Sequence, residues 1–310
     1  MLEVLFTLNI TILPITIIFC IAVLGAIVYL TVLSKQKKFT KSAIADVLLM
    51  LAILGVFLLF LLKLGTVEVK SYGFCVIVGF VLAALCGIPL GKKHGIKSSD
   101  ILDMLIWTLI TGFLGGRILY VLTTPGSGPL FSMESLQTGI NGLSFHGGLT
   151  LAVIAIFILS CIKKIPPLKA YDLLVPLIAL GYAFGRVGCF LNHCCYGKAV
   201  EHKVFFGVQT QDPHIFEYPV QLYSTGMALI IFAILYFIAF KYYDKIKQGI
   251  LLFSFLILMG IERFIMEIYR HPEIGYLLWH GLTKAQIVSI ILIIISIVAI
   301  IIVNIWGKKE

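Results

Sequence analysis

Runs of about 20 apolar residues, set apart by short clusters of lysine, glycine and proline, repeat along nearly the whole chain, and no other feature restricts its fold so tightly. A hydrocarbon layer roughly 30 Å thick needs about 20 helical residues per crossing. Residues 9 to 33, 43 to 66, 72 to 91, 101 to 122, 147 to 163, 170 to 191, 219 to 241, 249 to 269 and 285 to 306 meet that length. Transmembrane β-strands would instead alternate over segments of about ten residues, a pattern this sequence lacks. With 60% hydrophobic and 13% charged residues, the chain carries more apolar surface than a soluble fold of 310 residues hides. The expectation is an all-α, polytopic integral membrane helical bundle of about nine transmembrane helices. The first run is too long for a signal peptide, opens without a basic segment and is followed by no small-x-small cleavage site, so it reads as a retained helix. Cys20 lacks the small residue that precedes a lipid-modified cysteine.

Lysines orient the bundle. The connections after the first, third, fifth and seventh runs, together with the C-terminus, hold 15 of the 24 basic residues, in SKQKKFTKS, GKKHGIKSS, KKIPPLK, KYYDKIKQG and GKKE. The opposite connections hold six. Cytoplasmic loops carry the lysine excess, so the N-terminus is expected outside and the C-terminus in the cytoplasm. The net charge of +9 is thereby accounted for. No nucleic-acid partner is implied, because the basic residues are dispersed and not interleaved with an aromatic platform.

The three remaining basic residues, Arg117, Arg186 and Arg263, fall inside apolar runs. A guanidinium at the helix centre costs about 2.5 to 3.5 kcal/mol on the insertion scale. Snorkelling to headgroups, or bonding to a neighbouring helix's carbonyls, would hold any one of them. All three, however, close outward-running helices and so approach the same face. Tyr72, His146, Gln221, Tyr223 and Gln286 open the inward-running helices at that face, and Glu267 stands one turn beyond Arg263, close enough to pair. One carboxylate leaves surplus positive charge near the outer headgroups, which suits a phosphate ester. Asp103 and Asp172, near the cytoplasmic starts of their helices, read as structural caps. His146 precedes Gly147 and Gly148, which permit close backbone approach and leave amides for an anion, while the imidazole can orient or deprotonate a thiol.

GLSFHGGL, the helix ending GYAFGRVGCFLN, the YPVQLY segment and RFIMEIYRHP, in this order and with SYGFCVIVGF and FLGGRILYVL before them, resemble the prolipoprotein diacylglyceryl transferase family over residues 70 to 306. The resemblance implies a seven-helix membrane core in residues 67 to 310, preceded by two added helices in residues 1 to 66. It implies an enzyme of the bacterial plasma membrane that moves the diacylglyceryl group of phosphatidylglycerol, or another anionic phospholipid, to the lipobox cysteine of a prolipoprotein signal peptide at the outer leaflet. Glycerol 1-phosphate would leave, and no cofactor is called for. By motif position it implies catalytic roles for His146, Arg186, Arg263, Glu267 and Tyr72. Arg117, Gly147, Gly148, Asn192, Gln221 and Tyr223 would line the substrate cavity.

Within GRVGCFLNHCCYG the chain departs from the family, which places an asparagine where Cys189 stands, a glycine where His193 stands and an acidic residue where Cys194 stands; Asn192 is kept. Cys189, His193, Cys194 and Cys195 admit several readings: a thiolate–imidazole metal site through Cys189, His193 and Cys194, a disulfide from Cys189 to one of the pair, a thiol activated by Arg186, or small buried filler. Cys20, Cys75, Cys86 and Cys161 sit in apolar runs and read as filler. Two further functions stay open, a paralogous lipid transferase with another acceptor or a thiol- or metal-dependent step, and a transporter. Against the transporter, no inverted repeat is visible and the polar residues gather at one face.

Overall fold

The computed structural model describes residues 4–9, 66–124, 142–209, 212, 214–270, 277–279 and 281–306. The chain forms two compact units, Leu2–Lys70 and Ser71–Glu310. In the first, β1 (Val4–Asn9) pairs antiparallel with β2 (Thr66–Lys70), Thr7 opposite Glu68 and Asn9 opposite Thr66. The helices expected at 9 to 33 and 43 to 66 lie outside the described residues, except that Asn9 and Thr66 themselves are extended.

The second unit holds seven helices of 18 residues or more among the described residues: α1 (Ser71–Lys93), α2 (Ser98–Thr123), α3 (Phe145–Ile162), α4 (Pro167–Leu191), α5 (Val220–Tyr242), α6 (Ile250–Ile268) and α7 (Lys284–Trp306). Each overlaps one of the apolar runs in the sequence. Six are long and apolar enough to cross a bilayer. The exception, α6, carries Glu262, Arg263 and Glu267 in its last two turns. Large side chains such as Ile77, Leu85, Leu122, Phe157, Ile230 and Ile294 point outward, as lipid-facing residues of a multi-pass membrane protein do.

Among the spanning helices α4 is the central one, half of its apolar window being enclosed against 17–28% for the others. Without a hydrophobic drive between helices inside lipid, close association depends on small residues. In α1, Ser71, Cys75, Gly79, Ala83, Gly87 and Gly91 recur every four residues and are all buried. A methyl group on Gly79 would meet Phe184 Cβ at 2.8 Å, and one on Gly87 would meet Leu177 Cδ1 at 2.7 Å. Between α2 and α3 the approach is closer still: a methyl on Gly115 would lie 2.3 Å from the Gly147 carbonyl oxygen, and one on Gly147 would lie 2.2 Å from that of Gly115.

The two ends of the bundle differ in chemistry. At one end Lys163 pairs with Asp100 at 3.0 Å and Asp103 at 2.5 Å, His94 Nε2 meets the Ala239 carbonyl at 2.8 Å, and Lys93 meets the Phe240 carbonyl. Asp172 accepts from Gly249 N (2.6 Å), Leu252 N (2.7 Å) and Tyr243 Oη (3.2 Å). Both aspartates therefore act between helices rather than on their own first turns: Asp172 caps α6, where the unpaired amides of that helix need an acceptor, and Asp103 joins α2 to the end of α3. At the other end, β3 (Ala199–Val200), β5 (Phe216–Glu217) and β4 (Val208–Gln209) form a small antiparallel sheet between α4 and α5. β6 (Leu277–Trp279) pairs with β7 (Leu282–Thr283) before α7.

Candidate active site

A buried carboxylate inside α6 organises this second end. Glu262 is 1% exposed; it accepts from Ser224 Oγ of α5 at 2.5 Å and from Tyr182 Oη of α4 at 3.4 Å. Tyr182 in turn accepts from Arg186 Nε at 2.8 Å, and the guanidinium lies over its ring at 4.9 Å. The order Arg186 to Tyr182 to Glu262 is thus set by donor direction: the guanidinium can only donate, the Tyr182 hydroxyl then faces both carboxylate oxygens at 3.4 Å, and Ser224 donates to one of them.

One turn further along α6, Glu267 Oε2 stands 2.7 Å from Arg263 Nη2 and 3.6 Å from Arg270 Nη1. The expected pair of Arg263 and Glu267 is therefore present, as an ion pair without hydrogen-bond alignment. Arg270, at the end of the motif, is a further member that its place in a loop had hidden. Three guanidinium groups, of Arg186, Arg263 and Arg270, face two carboxylates, of Glu262 and Glu267. Among the described residues this leaves a surplus of positive charge, with Arg270 and Glu262 added to the Arg186, Arg263 and Glu267 read from the sequence.

The cysteine segment folds back beside this cluster. Asn192 N donates to Gly188 O (3.0 Å), His193 N to Phe190 O (3.1 Å) and Cys194 N to Cys189 O (3.0 Å). His193 and Cys195 adopt left-handed backbone, at φ 48° and 62°. Gln221 Nε2, from the first turn of α5, holds the turn through the Cys194 carbonyl at 2.7 Å. Gly197 bridges to Arg270, and Lys198 N donates to Tyr269 O, so the segment leaves alongside the end of α6. The Sγ atoms of Cys189, Cys194 and Cys195 all lie within 4.8 Å of one another, and all three cysteines are free thiols. Hydrogen bonds from Cys189 and Cys194, with the charges of Arg270 and Arg186, hold the Cys195 thiol well below the usual thiol range against the opposing effect of burial.

His193 is not in that cluster: its ring stacks on Tyr196 at 5.6 Å and lines a shallow pocket with Tyr218 and Gln221. Of the expected group Cys189, His193 and Cys194, the imidazole therefore lies outside and Cys195 stands beside the other two sulfurs, because the left-handed turn at residue 193 throws the imidazole outward. A disulfide from Cys189 is absent from the structure.

The remaining expected residues are dispersed around this end. Tyr72 packs on Gly188, where a methyl group would meet its ring at 3.0 Å. Asn192 reaches the Cys194 thiol. Tyr223 donates to the Phe205 carbonyl at 2.5 Å, tying α5 to the small sheet. Arg117 is buried and donates to the Gly142 carbonyl at 3.3 Å. His146 is exposed on the first turn of α3 with its ring edge-on to Phe145, and no hydrogen bond or ion pair joins it to Arg186, Arg263 or Glu267 among the described residues. Gly147 and Gly148 face the backbone of α2, and Gly148 N is bonded to Ser144 O, so their close approach is to a neighbouring helix. Gln286 exchanges hydrogen bonds with Thr283 at 3.0 and 3.3 Å and closes the N-terminus of α7 as a capping box.

Residues 59–302 match the family model of prolipoprotein diacylglyceryl transferase. The chain is 29% identical over 238 residues to phosphatidylglycerol–prolipoprotein diacylglyceryl transferase of Ehrlichia canis (strain Jake), covering 76% of this chain and 91% of the relative. It is 31% identical over 242 residues to the protein of that name in Clostridium tetani (strain Massachusetts / E88), covering 76% and 94%. With the corresponding protein of Streptococcus uberis (strain ATCC BAA-854 / 0140J) it shares 29% over 245 residues, covering 77% and 93%.

Proposed function

Since the chain belongs to the prolipoprotein diacylglyceryl transferase family, we propose that it transfers the diacylglyceryl group of phosphatidylglycerol to the cysteine thiol of a prolipoprotein lipobox. The observation that carries the reading is the meeting, among the described residues, of Arg186, Arg263 and Arg270 with two carboxylates, Glu262 and Glu267, at one end of the bundle.

The chemistry follows from charge. The acceptor's thiolate attacks a glycerol carbon, the carbon–oxygen bond to phosphate breaks, and the electron pair departs on the phosphate ester as glycerol 1-phosphate. Fixed guanidinium groups stabilise charge that grows on that leaving group, and they do so most strongly where water is scarce. Arg186 is held by Tyr182 and Glu262 and thus costs little reorganisation when the phosphate arrives. Arg263 is steered by Glu267. In this reading His146 accepts the thiol proton, entering the site from the mouth of α3, and Tyr72, Asn192 and Gln221 support the floor on which the headgroup rests. Arg117, Gly147, Gly148 and Tyr223 keep α2, α3 and α5 in register around it.

The lysine-rich end is cytoplasmic in this reading, so the arginine end opens to the outer leaflet of the plasma membrane. Residues 1 to 66 add two spans ahead of the seven-helix core, with the N-terminus outside and the C-terminus inside.

The test is mass spectrometry of a synthetic lipobox peptide incubated with the purified protein in phosphatidylglycerol vesicles. A mass gain of one diacylglyceryl group is expected, with at least a hundredfold loss in Arg186→Ala at unchanged folding. No gain from folded protein, beside an active relative, would sink the reading in favour of another acceptor.

A further inference from the structure

We infer that Cys189, Cys194 and Cys195 form a three-sulfur site for a thiophilic cation of the Zn2+ class, a site that the sequence motifs of the family do not contain. Three observations carry it. The first is distance: zinc–sulfur bonds of about 2.3 Å in tetrahedral geometry set sulfurs roughly 3.8 Å apart, and the three Sγ atoms already lie within 4.8 Å of one another.

The second is construction. Cys189 comes from the last turn of α4, and the chain returns its two neighbours to it through left-handed backbone at His193 and Cys195. Side-chain-bearing residues enter that region only at a cost, and such strain concentrates at functional sites. The turn is then fixed by the Cys194 amide on the Cys189 carbonyl and by Gln221 on the Cys194 carbonyl. The third is charge and number. A Zn2+ bound by three thiolates is an anion, and two arginines stand beside the group: Arg186 lies one turn before Cys189 on α4, and Arg270 is bridged to Gly197, two residues beyond Cys195. A disulfide would leave the third sulfur over, whereas a cation uses all three. Soft thiolate donors select zinc and its neighbours over magnesium or calcium.

Three protein sulfurs leave one tetrahedral position open, and all three cysteines are only half-buried. An acceptor cysteine entering that position would pass its proton to His146, as in the transferase reading, and bind as thiolate, the nucleophile that thioether formation needs. This use of the open position rests on the transferase reading; the cation site does not.

The experiment takes the full-length protein, reduced and freed of metal by chelation, in lipid nanodiscs, and titrates it with Co2+. One equivalent should give thiolate-to-cobalt charge-transfer absorption and be displaced by Zn2+. Cys189→Ser, Cys194→Ser and Cys195→Ser should each weaken binding more than about tenfold, whereas Cys161→Ser and His193→Ala should not. Circular dichroism and a monodisperse elution profile confirm that each variant is folded. Absence of the charge-transfer band in folded wild type, its survival in Cys195→Ser, or its loss in His193→Ala would overturn the site. Lipid transfer assayed on the same samples separates the two readings: cobalt binding without transfer keeps the cation site and removes the transferase, while transfer that is indifferent to chelation removes the open position's role.

Discussion

Glu262 directly precedes Arg263, yet its partners are Ser224, 38 residues earlier, and Tyr182, 80 residues earlier. A buried carboxylate that loses its donors, or donors that lose their carboxylate, costs about 3 to 5 kcal/mol. Glu262→Gln should therefore free Arg186 from its present position. Transfer to the lipobox peptide is expected to fall about a hundredfold, mostly in kcat, with partial rescue in Glu262→Asp. Tyr182→Phe should repeat the loss more mildly, since the ring stays under the guanidinium. Steady-state kinetics on the folded variants checks both. His193 offers the opposite sign: it holds φ 48° where the family pattern has glycine, so His193→Gly is expected to raise the thermal midpoint in detergent, by relief of about 1 kcal/mol. Arg186, Arg263 and Glu267 were legible because charge in an apolar run demands explanation. Tyr182 was not, because a tyrosine among aliphatic residues looks like core until its hydroxyl's partners are known. Glu262 was masked by the arginine beside it, which seemed to account for the polarity of that turn.

At the scale of elements, the HGG sequence that opens α3 is a packing device. A methyl group on Gly147 would sit 2.2 Å from a backbone oxygen of α2, which no rotamer change relieves, whereas Gly112 has open space at the same interface. Gly147→Ala should lower stability by about 1 to 3 kcal/mol and prise α2 from α3. Gly112→Ala should be neutral or stabilising by up to about 1 kcal/mol, from helix propensity. Thermal unfolding of the two variants in the same detergent separates these expectations. The seven helices of the second unit were readable because hydropathy and length are properties of a single segment. The four-residue stripe of small residues in α1, the cross-helix cap by Asp172 and the short strands β3 to β5 were not. Each depends on a second segment that periodicity in the first cannot name.

For the molecule as a whole, the distribution of ion pairs is the strongest regularity. Lys163, Asp100, Asp103, His94 and Asp244 gather at one end, and the arginine cluster gathers at the other. Reporter fusions in the loop of residues 94 to 97 and at residue 310 should report cytoplasm, and one at residue 203 should report the outer side; inversion of any of the three would overturn the orientation. The antiparallel pairing of Val4–Asn9 with Thr66–Lys70 has a consequence of a different kind. The excursion between those strands begins and finishes at one place. The ladder is thus a clasp: it fastens the two ends of a 56-residue excursion to each other, whatever path the chain takes between them.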